Sequence, residues 1–176
     1  MKTSIFAIAS LGLLVATPAQ AADPHLTPAN SSKTLSGPAS LGSLQCYLDL
    51  DVTTGSSSGT GAVDGTIDGG TNDPGQSDPG CAGVRVDSGT FDLDSGSYNA
   101  SGGDYGLGSG TGMVNNLQIS VYNPTTMTWT PCPTANLPID VQKVDNTPSV
   151  EVLLGGTIPG CGVASAALIG GYDLVP

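Results

Sequence analysis

From Leu41 onward apolar and polar residues alternate with a period of two along most of the chain. No stretch beyond Ala21 holds apolar residues at three-and-four spacing over three turns. The clearest run is Leu41 to Val52, with Leu44, Cys46, Leu48 and Leu50 on one face and Gln45, Tyr47, Asp49 and Asp51 on the other. Val84 to Val86 and Thr90 to Asp94 alternate again around Asp87-Ser88-Gly89, a hairpin or bulge signal, and Phe91 reads as a core residue. Met113-Val114 with Leu117 to Tyr122 forms another strand, ended by Asn123-Pro124, and Ile139 to Val144 one more. Val150 to Pro176 reads as a hairpin: Val150, Val152 and Leu154 point one way, the turn is pinned at Cys161, and the small apolar run Val163 to Ile169 is expected to be largely buried.

Between these runs the pattern fails. Thr53 to Gly80 is rich in glycine, serine and aspartate and offers at most one weak strand, and Ser95 to Gly112 reads as a glycine-rich connection. With 26 glycines and 13 prolines punctuating the chain, the expected fold is all-β. It is a two-sheet sandwich of about 8–10 short antiparallel strands, with an open barrel as the other possibility. Residues 1–21 carry Lys2, an apolar run from Ile5 to Val15 and Ala19-Gln20-Ala21, the layout of a cleaved secretory signal. Residues 22–38, interrupted by Pro24, Pro28 and Pro38, read as an extended arm or edge strand, and residues 39–176 as a single sandwich domain.

Composition narrows the function. Fifteen acidic residues give a net charge of −11, and beyond the leader the only basic residues are Lys33, Arg85 and Lys143. That field repels nucleic acid and anionic lipid, and no apolar run is long enough to predict membrane insertion. The expected location is outside the cell or at its surface, reached through the periplasm. There Cys46, Cys81, Cys132 and Cys161 should form disulfides, with sequential pairing closing two hairpin-scale loops. Asp64, Asp68, Asp73 and Asp78 lack the spacing of a calcium loop and read as turn residues. His25, the single histidine, has no CxxC pair to complete a zinc site and stands too near the start of the mature chain to serve a triad. A carboxylate pair drawn from Asp49, Asp51, Asp92 and Asp94 would sit on the solvent face, where nothing tunes it for glycoside hydrolysis. Trp129, close to Cys132, is expected to pack on a disulfide. The reading is a non-enzymatic protein without cofactor or metal.

One resemblance spans nearly the whole mature chain. It is carried by Leu26-Thr27-Pro28-Ala29-Asn30-Ser31 after the leader, Gly37 and Leu41 before the strand of Cys46, Phe91 after Cys81, Pro159-Gly160-Cys161-Gly162-Val163, Leu168, and Val175-Pro176. In these features the chain resembles the secreted PraB-like family, protein activators of alkane oxidation. It departs from that family in its acidity and in the Gly55 to Gly80 stretch, which reads as inserted. The resemblance implies a small exported all-β protein that aids growth on hydrocarbons without catalytic residues. Two routes suit that role: action at hydrocarbon surfaces, or self-association into an extracellular fibre or biofilm coat by strand addition from the arm.

Overall fold

The computed structural model describes residues 24–56, 64–98, 107–144 and 148–175, so the leader expected at residues 1–21 lies outside the described residues. Eleven strands follow in chain order: His25–Thr27 (β1), Ser32–Leu41 (β2), Leu44–Thr54 (β3), Gly65–Asn72 (β4), Val84–Tyr98 (β5), Leu107–Asn123 (β6), Thr128–Pro131 (β7), Ala135–Lys143 (β8), Val150–Ile158 (β9), Gly162–Gly170 (β10) and Asp173–Val175 (β11). A 3-10 turn at Pro79–Gly83 precedes β5.

The main sheet runs β5-β4-β3-β2-β10-β9-β8-β6, and β6 pairs back onto β5. Eight antiparallel strands therefore close into a barrel, which overturns the two-sheet sandwich. Both architectures alternate inward apolar with outward polar residues, so a period of two does not separate them; closure does. Closure runs through stretches that offered at most one weak strand or read as a connection. Gly65–Asn72 is a full strand between β3 and β5, and most of Ser95 to Gly112 extends β5 and β6, where Ser95 pairs with Thr111 and Gly96 with Gly110.

Bulges hide these strands from a period-two reading, because each inserts one residue and reverses the alternation. In β5 the inward residues are Val86 above the irregularity and Phe91 and Leu93 below it, a change from even to odd positions. The Asp87-Ser88-Gly89 signal is thus a bulge within one strand. β6 does the same between Val114 and Leu117, with Asn116 at φ 52° absorbing the extra residue. The final hairpin also differs from expectation. β10 alternates, with Ala164, Ala166 and Leu168 buried but Val163 and Ile169 exposed.

The described part of the expected arm, residues 24–38, supplies β1 and most of β2, and β2 is hydrogen-bonded to β3 on one side and to β10 on the other. β1 and β11 form a separate ribbon that covers the end of the barrel where β2 begins. Its Leu26 joins the main core, Leu174 packs beside Gly110 of β6, and the hydroxyl of buried Tyr172 donates to the Val52 carbonyl at 2.7 Å with the Ser31 carbonyl at 3.0 Å.

Candidate functional site

The barrel encloses an apolar lumen whose walls are the inward positions of all eight staves. An eight-stranded barrel is just wide enough for its side chains to fill or for one small ligand to enter. Here the filling is incomplete: a cavity of about 90 Å³ remains, lined chiefly by leucine, valine and isoleucine with Phe91. The room comes from small residues on two adjoining staves, Ala39 on β2 and Ala164 and Ala166 on β10, all of which line it.

Exposure along the lumen is graded. Toward the β1–β11 ribbon the inward residues are sealed, with Leu35, Val52, Leu93, Val141 and Leu168 each 3% exposed or less. At the other end Ala39, Leu41, Val84 and Val121 are only partly buried against the same core. That end is the mouth. Its rim consists of the β2–β3 turn, the β4–β5 connection, the β6–β8 connection carrying β7, and the β9–β10 turn.

Both disulfides sit at this rim. Cys46 on β3 is bonded to Cys81 in the 3-10 turn, and Cys132, just past β7, to Cys161 in the β9–β10 turn, the sequential pairing. Such bonds belong to an oxidising compartment. Hydrogen bonds fasten the rim further. Asn72 donates to the Cys81 and Val84 carbonyls at 2.9 and 2.7 Å, and the Gln118 amide donates to the Cys132 carbonyl at 2.6 Å. The Tyr47 N–H donates to Ser77 Oγ at 2.7 Å, and the Gln45 N–H to Asp78 Oδ2 at 2.9 Å. Asp73 accepts from the Gln76 amide and the Gly75 N–H, and these two bonds hold its carboxyl below the usual range. The mouth is a braced ring.

The aspartates considered for chemistry are engaged one at a time in the fold. Asp64 is buried at the start of β4 and accepts the Leu93 N–H at 2.7 Å; Asp68 takes the hydroxyls of Thr53 and Thr66. Asp73 and Asp78 belong to the rim, far along β4 from Asp64. Asp49 and Asp51 accept from Ser36 and Thr34 on the outer face of β3, while Asp92 and Asp94 lie on β5 with β4 between. No cluster of metal-ligating side chains occurs among the described residues. His25 stands in the ribbon at the end opposite the mouth, its Nδ1 buried without a hydrogen-bond partner. Trp129 rests against Tyr122, ring centroids 5.4 Å apart, with the Arg85 guanidinium 4.4 Å from the indole centroid. Arg85 is held there by Asp87 at 2.7 Å.

No family model, curated protein or solved structure matches this chain.

The lumen was not foreseen from the sequence. The signal it left there is the recurrence of Ala39, Ala164 and Ala166 at positions that alternation assigns to the interior, where larger side chains would be needed to fill a core. Chemically the site offers dispersion contacts and exclusion of water. The atoms that line it are almost all hydrocarbon, so it suits a guest without polar groups.

Proposed function

We propose that the protein is an exported, non-enzymatic accessory factor that carries or presents hydrophobic hydrocarbon at the aqueous boundary. The observation that supports this is the apolar lumen inside an acidic, polar-faced barrel. Outward positions on β2 and β3 are Thr34, Ser36, Asp49 and Asp51, and inward positions are Leu35, Leu48 and Leu50. This alternation is the reverse of a membrane-spanning barrel, whose apolar residues face out and whose lumen is polar. No helix among the described residues is long and apolar enough to cross a membrane. The resemblance to the PraB-like family supports the same role. The alternative, assembly into a fibre by donation of the arm, is weakened because β2 already has a partner on each side.

The test is retention of hydrocarbon in water. Purified protein shaken with radiolabelled hexadecane and cleared of droplets should hold label in the aqueous phase in proportion to protein, above an equally acidic protein of similar size. Retention no greater than that control overturns the reading.

A further inference from the structure

We infer that the lumen mouth is a binding site for the end of an unbranched, uncharged alkyl chain, inserted methyl first between β2 and β10; the inference rests on the hydrocarbon-handling role proposed above and names its ligand. Size argues for a chain end. A dry apolar cavity of roughly 150 Å³ admits a benzene ring. The 90 Å³ present is smaller than that cavity, so a slender chain end suits it better than a ring. Position argues for insertion from one side: the lumen is sealed by Leu26 and Leu174 at the ribbon end and partly exposed at Ala39, Leu41 and Val84. The remainder of a longer chain then lies across the rim.

Electrostatics select the guest further. The lining holds almost no polar surface, its one cation, Arg85, is already paired with Asp87, and the chain carries a net charge of −11, so a carboxylate head at the mouth meets net repulsion. The rim is stapled at Cys46–Cys81 and Cys132–Cys161, so the opening keeps its width without a guest. This preorganisation lowers the ordering cost of binding.

Methyl-resolved NMR of the oxidised protein tests the assignment with n-decane, decanoate and cyclohexane as probes. n-Decane should shift the methyls of Ala39, Leu41 and Ala164 saturably and leave the outward Val163 and Ile169 unmoved, while cyclohexane and decanoate bind more weakly by on the order of tenfold. Ala39→Phe, which fills the mouth at a partly exposed position, should abolish the n-decane shifts at Leu41 and Ala164. Leu48→Ala, which enlarges the lumen, should admit cyclohexane, and it decides the matter if Ala39→Phe does not fold. Shifts confined to Val163, Ile169 and Met127, or binding of cyclohexane or decanoate as tight as that of n-decane, overturn the site. If hexadecane is still retained in water when the lumen methyls stay silent, the role stands and the site fails. If n-decane fills the lumen but no hexadecane is retained, the site stands and the role fails.

Discussion

At the scale of single residues, Tyr172 concentrates several constraints. Its ring is fully buried where the ribbon meets the barrel, and its hydroxyl reaches the Val52 carbonyl across the β2–β3 edge. Burial, the main cause, pushes its pKa above the ordinary 10.0. The folded state thus keeps a proton that the unfolded chain gives up first, so stability is full below pH 10 and is lost as the pH rises from there through the folded pKa. Urea titrations from pH 8 to 11 should show a decline of up to about 1.4 kcal/mol per pH unit for this group. Tyr172→Phe should flatten that decline while costing about 1–2 kcal/mol at pH 7 through the lost hydrogen bond; a decline of equal slope in the variant would place its origin elsewhere. Gly65 is a second such position. A Cβ there would meet the Phe91 ring and, at 2.5 Å, the Thr53 carbonyl. Gly65→Ala should cost about 1–3 kcal/mol, and pairing it with Phe91→Leu should recover part of that cost in a double-mutant cycle.

At the scale of elements, β2 shows what alternation tells and what it conceals. Pro38 suggested an edge, yet β2 has a neighbour on each side, and Ser32 to Leu41 run through the pairing with β3 without a break. Deleting residues 23–36 should therefore remove a stave and leave no cooperative thermal transition by circular dichroism; a truncated chain that melts like the parent would mean the barrel closes without it. Leu44 to Val52, with its unbroken alternation, was legible; Leu41, read as part of the same run, ends β2 instead, and β3 continues through Thr54. β4 was not, because two of its inward positions, Gly65 and Gly70, have no side chain to signal burial and Gly69 at φ 155° marks a register shift against β3. The disulfides were legible as rim staples only in part: sequence spacing suggested the pairing, but that both lie at one end is a product of closure. Each closes a loop, with sequence separations of 35 and 29, and breaking either should cost about 3–4 kcal/mol by the chain-entropy argument. Comparing the melting of Cys132→Ala/Cys161→Ala with that of the parent measures it.

At the scale of the whole molecule, the closed barrel removes sheet edges, which are where a sandwich would exchange and aggregate. Native-state hydrogen exchange should accordingly find a protected ring running through β5, β4, β3, β2, β10, β9, β8 and β6, with fast exchange on the outer side of β7. A fast-exchanging edge at β5 or β6 would reopen the barrel into a sheet. Of the candidate site, the sequence displayed the apolar lining and the small residues of β2 and β10 but not the void, because a void depends on which staves end up side by side. β2 and β10 are neighbours across most of the chain's length, with Ala39 opposite Ala166 and Leu41 opposite Ala164. No local pattern encodes that adjacency.

The pairing of His25 with Val175 brings the two described extremities of the chain together on the pole opposite the stapled rim. Whatever is attached directly beside His25 or Val175, be it a surface, a carrier or a fluorescent label, is consequently held behind the barrel. The mouth then faces away from the attachment, and protein fixed beside His25 or Val175 keeps its lumen accessible.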